Sequence, residues 1–131
     1  MESRKLMKMK SLVLWLLPLL MVGCATTVTN LTPRQQTRNA TGLYPFEVAF
    51  DSNQHSLCKD TITAQVVVGL ESYPMRPTPL IANRWETLVP VPADKDYLSY
   101  QFKFDYQYLA IPQRHSDSKM SPPYQLKIIN K

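Results

Sequence analysis

The sequence predicts an all-β domain, a single antiparallel sandwich of about seven strands. Three observations favour this class. After residue 40, apolar and polar residues alternate in several segments, and this period of two is typical of strands with one buried face. The 131 residues include eleven prolines and only three glycines, a composition that favours short strands joined by stiff turns. No segment after residue 24 has the periodicity of a helix, and the spacing of the strands is typical of a sandwich.

The first 23 residues have the composition of a secretory signal peptide. Residues 1–10 are basic, and residues 12–22 form an apolar run of eleven residues without a charge. A membrane-spanning helix needs roughly 20 apolar residues, so this run is too short to cross a bilayer. A basic start followed by a short apolar core is typical of a cleaved signal.

The signal ends in the run LMVGC at residues 20–24. This run resembles the lipobox of bacterial lipoproteins, with Met21 where that family usually has Leu. The resemblance implies cleavage before Cys24, a diacylglycerol on its sulfur and a fatty acyl chain on its amine, and two or three chains anchor a protein stably. In the same family, Ala25 in place of Asp implies sorting to the outer membrane. An ordinary signal peptide or an uncleaved anchor is the alternative.

The formal net charge of +5 belongs mostly to the signal peptide, where four basic residues accompany Glu2. Residues 24–131 keep only a small positive charge, which is scattered along the chain. Nucleic-acid-binding proteins concentrate basic residues on one face, so we expect no nucleic-acid partner.

The expected domain organisation has three parts. Residues 1–23 are the signal peptide, and residues 24–40 are the lipidated cysteine and a polar tether, with a first edge strand around residues 28–31. Residues 41–131 form the sandwich. The second cysteine, Cys58, has no partner in its own chain if Cys24 is acylated. It is then a free thiol or one half of an intermolecular disulfide.

Five segments alternate clearly enough to be placed as strands. The segment 97–108 alternates most strongly, with six large apolar side chains on one face, and is predicted to be the central strand. The expected inward-facing residues are Tyr44, Phe46, Val48 and Phe50; Ile62, Ala64, Val66, Val68 and Leu70; Trp85, Thr87, Val89 and Val91; Leu98, Tyr100, Phe102, Phe104, Tyr106 and Tyr108; and Tyr124, Leu126 and Ile128.

Two proline-rich segments are expected outside the centre of the sheets. Residues 73–80 have a proline at nearly every second position. Proline cannot donate to a strand ladder, so this segment is predicted to be an edge strand or a connection. Residues 112–123 are polar and bounded by prolines, and are predicted to form a loop before the last strand.

An immunoglobulin-like version of the sandwich is indicated by residues 96–102. Tyr100, two residues before the core position Phe102, resembles the tyrosine corner of immunoglobulin-like domains. That resemblance implies a hydroxyl bonded back to the loop backbone; the alternative is that Tyr100 is simply a core aromatic. The spacing of core residues over 60–106 also resembles early-set immunoglobulin-like domains, some of which bind starch or glycogen. The chain has no matching pair of surface tryptophans and basic residues, so the resemblance supports the fold rather than the ligand.

No motif in the sequence carries catalytic chemistry. His55 and His115 each occur alone in a polar segment, without a second His or Cys at the spacing of metal ligands. Asp94 and Asp96 fall in a predicted turn, where carboxylates usually bond to the backbone. We therefore expect a protein that is not an enzyme and that binds neither metal nor cofactor, apart from the covalent lipid on Cys24.

Two groups of residues are candidates for binding. Arg114, His115 and Lys119 lie in the 112–123 segment, in a position where immunoglobulin-like domains often bind partners; a solvated connection is the alternative. Tyr73 and Trp85 would serve as aromatic faces on which sugars stack, and core packing is the alternative use of Trp85.

The sequence thus predicts a lipoprotein anchored in the cell envelope through Cys24. We expect a non-catalytic binding or structural module for an envelope protein partner, with the periplasmic or surface face left open. A carbohydrate-binding domain of the same fold is the alternative. A periplasmic enzyme would need two titratable groups to converge from distant loops.

Overall fold

The computed structural model describes residues 25–131, so the predicted signal peptide and Cys24 lie outside the described part of the chain. These residues form nine β-strands and no helix. In chain order the strands are β1 (Thr26–Asn30), β2 (Gln35–Thr37), β3 (Leu43–Ser52), β4 (Leu57–Val68), β5 (Glu71–Pro77), β6 (Arg84–Pro90), β7 (Tyr97–Ala110), β8 (Gln113–Met120) and β9 (Tyr124–Ile129).

The first sheet of the sandwich has the order β1-β3-β6-β5 and is antiparallel throughout. The first residue of β1, Thr26, lies opposite Ser52, the last residue of β3. The segment expected to be a tether therefore begins the sandwich almost immediately after Cys24, and its expected edge strand is β1.

The second sheet is built on β4 and β7, which pair along most of their length. β7 continues past β4 in both directions: its first residues pair with β9 and its last eight with β8. β2 closes this sheet by pairing in parallel with β9. The prediction that residues 97–108 form the central strand is confirmed, because β7 has three partners.

The nine strands correspond to the seven strands predicted, because two of those seven are each interrupted and appear as two shorter strands. β1 and β2 are one strand broken around Pro33, and β8 and β9 are one strand broken at Pro122 and Pro123. Proline has no N–H to continue a ladder. Counted in this way, residues 25–131 form four strands in one sheet and three in the other, in the order of an immunoglobulin-like sandwich. The predicted fold class is confirmed.

β5 belongs to both sheets in succession. Its first part pairs with β4, where Tyr73 lies opposite Val66, and its end pairs with β6, where Pro77 lies opposite Trp85. Each part has a ladder partner on one side only, which is where a strand tolerates proline. The segment is thus an edge strand, as its prolines predict.

The core lies between the two sheets and is largely aromatic. Phe50 of β3 stacks on Phe104 of β7 with ring centroids 4.5 Å apart, and Phe46 meets Tyr100 edge to face at 4.8 Å. Both geometries are preferred by aromatic pairs. Most of the predicted inward-facing residues are buried: Tyr44, Phe46, Val48, Phe50, Ala64, Val66, Trp85, Val89, Val91, Leu98, Tyr100, Phe102, Phe104, Tyr106, Leu126 and Ile128.

One predicted core residue, Leu70, is instead fully exposed. β4 ends at Val68, and Gly69 turns the chain with a φ of 60°. Such positive values favour glycine. The period of two therefore stops two residues before Leu70, which lies at the tip of the turn.

The prediction that residues 112–123 form a loop is wrong, because β8 fills most of this segment. β8 pairs with β7 on one side, and nearly all its residues are exposed. A strand with neither face covered needs no apolar alternation, so its sequence is indistinguishable from that of a polar loop.

Tyr100 does not form the predicted tyrosine corner. Its ring is buried, and its hydroxyl accepts a hydrogen bond from Asn30 Nδ2 at 2.9 Å. The bond joins β7 to the end of β1 rather than to the loop that precedes β7. Burial raises the pKa of the Tyr100 hydroxyl, since the charged form would lose its hydration.

Candidate functional site

The sandwich has two ends of different composition, which we call the anchor end and the groove end. The anchor end holds Ala25, where the described chain begins, with the loops 53–56 and 78–83 and the turn between β7 and β8 at 111–112. The groove end holds the opposite turns, at 69–70 and 91–96. Each candidate residue can be assigned to an end or to the core between them.

A groove of about 740 Å³ opens at the groove end. It exists because β5 and β6 pair only near Pro77 and then diverge, β5 toward β4 and β6 toward β3. The volume is within the range of about 300–1,000 Å³ that is usual for small-molecule sites. The apolar part of the lining consists of Val68, Leu70, Tyr73, Pro90, Val91, Pro92 and Leu98.

Polar groups stand at the edge of this groove. The Tyr73 hydroxyl donates a hydrogen bond to the carboxylate of Glu71. This bond is the main cause that raises the pKa of Tyr73 above its ordinary value, with smaller contributions from desolvation and from the negative charge of Glu71. Lys95 lines the other side. The groove thus offers an apolar floor with one carboxylate and one ammonium group near its rim.

The turn that carries Lys95 is held in place by Arg38. The Arg38 guanidinium donates to the backbone oxygens of Ala93 and Lys95, at 2.8 and 3.0 Å, and to the carboxylate of Asp96 at 2.7 Å. The sequence predicts that the Asp96 carboxylate bonds to the backbone of its turn; in the structure this carboxylate forms an ion pair with Arg38. One wall of the groove is therefore fixed by several charge-assisted hydrogen bonds.

Trp85 does not contribute to this groove. Its ring is buried in the core, where it meets Phe104 edge to face at a centroid distance of 5.6 Å. A ring with both faces packed cannot stack on a sugar. Tyr73 and Trp85, proposed together from the sequence as exposed aromatics, are therefore separated by the structure, and Tyr73 alone remains accessible at a cavity.

Arg114, His115 and Lys119 all lie on β8 rather than in a loop. The His115 ring stacks on Tyr108 of β7, with centroids 5.7 Å apart. Lys119 Nζ donates to the backbone oxygen of Thr26 at 2.5 Å, which ties β8 to β1 across the two sheets. Arg114 lies opposite Leu109, next to the turn. The three side chains are spread along an open strand and do not converge.

Sequence reasoning missed most of the groove. The sequence predicts Leu70 in the core, and it gives no sign that Pro92 and Lys95 border a cavity. The groove depends on where β5 leaves β4 and joins β6, which is a contact between distant parts of the chain. The one local signal was Gly69-Leu70, since a glycine directly after an alternating run marks the end of the strand.

Within residues 25–131, no three or more His, Cys, Asp and Glu side chains come together closely enough to hold a metal ion. The described residues contain no helix that could span a membrane. Cys58 is a free cysteine in this part of the chain.

The chain matches no protein-family model and no curated protein. Two solved structures are similar to it in outline. Murine CRIg has a TM-score of 0.43 and 10% identity, over 82% of this chain and 98% of that one. A DUF4785 family protein from Legionella pneumophila has a TM-score of 0.45 and 9% identity, over 80% of this chain and 28% of that one. The fold assignment rests on the strand order described above, and the functional argument on the groove.

Proposed function

We propose that the protein is a lipid-anchored lipoprotein of the cell envelope whose sandwich binds an envelope protein partner without catalysis. The observation that carries the proposal is the placement of the two ends. β1 begins at Thr26, two residues after Cys24, while the groove lies at the opposite end of the sandwich. A lipid on Cys24 would therefore hold the groove away from the membrane, where a partner can reach it.

The length of the strands sets the reach of such a module. β3 runs from the groove end to the anchor end in ten residues, which is roughly 33 Å of extended chain. Since almost no chain separates Cys24 from β1, the groove is held at about this distance from the lipid surface. Ala25 after the cysteine favours the outer membrane as the location, by resemblance to sorted lipoproteins.

The composition of the groove favours a protein segment with an apolar side chain. Leu70 is fully exposed and lines the groove with the other apolar residues, and an apolar patch rimmed by polar groups is typical of interaction sites. Lys95 and Glu71 can fix the orientation of a partner through polar contacts at the rim. The partner is expected to be a protein of the same compartment.

Two measurements test the proposal. In cells fed a labelled fatty acid, the wild-type chain should incorporate the label and Cys24→Ser should not; persistent label in the variant would exclude the lipobox. A photocrosslinking residue at position 70 should then capture one stoichiometric envelope protein. The matched control is position 88, an exposed leucine on the outer face of β6. Equal capture at both positions would show that the groove is not the binding site.

Carbohydrate binding is the second candidate, favoured by the accessible ring of Tyr73 beside the Glu71 carboxylate. An aromatic face with a neighbouring acceptor suits a sugar ring. Calorimetry with glucans and peptidoglycan fragments separates the two functions: saccharide binding that is lost in Tyr73→Ala would favour this candidate over a protein partner.

A further inference from the structure

Four exposed apolar side chains lie at the anchor end of the sandwich. Leu80 and Ile111 are fully exposed, and Ile81 and Leu109 are exposed beside them. We call these four residues the apolar tips. Single exposed leucines are common on protein surfaces, but these four are grouped at two protruding turns of the same end. Leu80 and Ile81 lie in the β5–β6 turn, Ile111 lies in the β7–β8 turn, and Leu109 lies beside that turn near the end of β7.

The backbone shows that both turns lie at the end that holds Ala25, the first described residue. The turn between β5 and β6 is joined to the end of β3 by a hydrogen bond from Phe50 N to Asn83 O at 2.9 Å. The turn between β7 and β8 is joined to the loop after β3 by a bond from Leu109 N to Ser56 O at 2.8 Å. The end of β3 is where β1 begins, because Thr26 pairs with Ser52.

The β7–β8 turn also reaches beyond the start of β1. Phe104 packs on Phe50, which pairs with Val28, so these three residues mark one level of the sandwich. β7 continues six residues past Phe104, to Ala110, which is about 20 Å of extended strand. β1 begins only two residues from this level, at Thr26, so a lipid attached at Cys24 brings the turn to the bilayer surface.

The conformation of Leu80 is a second, independent observation. Its φ is 65°, in the left-handed region that glycine and asparagine adopt readily and leucine rarely does. A strained residue is expected to persist where its side chain has a role. The side chain of Leu80 does not pack in the core, so it is free to contact another apolar environment, such as lipid.

We infer that the anchor end is a membrane-contacting surface, with the apolar tips inserted among the lipid headgroups on either side of the Cys24 anchor. This inference rests on the proposed lipidation of Cys24. Interfacial apolar side chains insert about 5–10 Å into the boundary between headgroups and acyl chains. The tips belong to opposite sheets, so together with the anchor they would make three contacts and fix the tilt of the domain.

The charges of the anchor end indicate what kind of membrane contact this is. Three basic residues and two acidic ones lie around it, close to electrical balance: Lys59, Arg84, Arg114, Asp51 and Asp60. Binding through anionic lipids requires a basic cluster. The contact is therefore apolar, and it should depend little on the anionic lipid content of the bilayer.

Tryptophan quenching in vesicles tests the inference on the lipidated full-length protein. Ile111→Trp and Leu80→Trp place a probe on each apolar tip, and Leu70→Trp is the matched control at the groove end, at an equally exposed leucine. The vesicles contain phosphatidylethanolamine and phosphatidylglycerol with brominated acyl chains. The emission of the buried Trp85, measured in the wild-type protein, is subtracted.

We expect the added emission to shift to the blue and to lose most of its intensity at positions 111 and 80, with no loss at position 70. If all three probes stay unquenched on a protein that carries the fatty-acid label, the anchor stands and the membrane-contacting surface is wrong. If the wild-type chain carries no such label, the proposed anchoring fails and this inference fails with it. If the probe at position 111 is shielded from solvent in intact cells but is not quenched in vesicles, a protein covers the apolar tips. That result would also overturn the inference of a membrane-contacting surface.

Discussion

The two ends of the sandwich show how one fold can present two different surfaces. At the groove end, β5 and β6 diverge and leave a concave apolar site, whose wall is held by Arg38. At the anchor end, the connecting turns are convex, and Leu80 and Ile111 project from them. A concave site suits a partner's side chain, and protruding apolar tips suit a lipid surface. The proposed membrane attachment and the proposed recognition of a partner thus fall at opposite ends of the sandwich.

The core must be rigid if the two ends are to stay at opposite sides of the domain. A substitution of Phe102 tests this requirement and has the largest expected effect. Phe102 is fully buried between the sheets. Phe102→Ala should lower the free energy of unfolding by about 3–5 kcal/mol, because it removes a large apolar side chain and leaves a cavity. Denaturant unfolding measures the change. A stability equal to that of wild type would mean that the packing of the sheets is not the element joining the ends.

Tyr100 tests the attachment of the first strand to the core. Tyr100→Phe removes the acceptor of the Asn30 amide, a bond of 2.9 Å. It should cost about 1–3 kcal/mol if the amide stays unpaired. Asn30→Ala should cost less in the Tyr100→Phe background than in wild type, because the bond to Tyr100 is already lost there and only the bond from Thr32 N to Asn30 Oδ1 remains to be removed. Denaturant unfolding of the four proteins measures the difference.

The pKa of Tyr100 adds a pH dependence to this comparison. Burial raises the pKa of this hydroxyl in the folded chain, so folding favours the protonated form. Its contribution is complete below the unfolded pKa of about 10 and is lost as the pH rises through the folded value. Wild type should therefore lose stability faster above about pH 10 than Tyr100→Phe does. Parallel unfolding curves for the two proteins would contradict this account of the hydroxyl.

A substitution at Leu80 separates membrane contact from stability. It should weaken the proposed membrane contact and raise the stability of the domain. Leu80→Asn should raise the free energy of unfolding by about 1 kcal/mol, since asparagine tolerates a positive φ better. The same variant should reduce lipid quenching of a probe on the neighbouring tip. Leu70→Asn is the control: its φ is ordinary, so no gain in stability is expected. A loss of stability in Leu80→Asn would show that its conformation is not strained.

Lys119 provides the smallest test, at the contact between β8 and β1. Lys119→Met keeps the length of the side chain and removes the hydrogen bond to Thr26. It should cost about 0.5 kcal/mol, the lower end of the usual range for one hydrogen bond, since this bond is only partly buried, and it should increase amide hydrogen exchange in β8. Lys127→Met, at an exposed position of β9, is the matched control. Equal exchange in the two variants would exclude a role for Lys119 in holding the β7–β8 hairpin.

The sequence predicts the core well and the ends poorly, for a physical reason. Tyr44 to Phe50 and Leu98 to Tyr106 alternate because one face of each strand is covered, and that pattern is local. β8 has no covered face and therefore no pattern. Trp85 fits the alternating pattern of its strand equally well whether its ring lies in a groove or in the core. The groove and the apolar tips arise from pairings such as Arg76 with Glu86, which no short segment of sequence encodes.

The opposite placement of the two ends is tested most directly by energy transfer in the lipidated full-length protein. Donors are placed at positions 70 and 111 in turn, with acceptors on the lipid headgroups of the same vesicle. The account predicts strong transfer from position 111 and weak transfer from position 70, which the length of the sandwich holds roughly 30 Å from the surface. Equal transfer from the two positions would contradict it, because the domain would then lie on its side and the groove would face the membrane as closely as the anchor does.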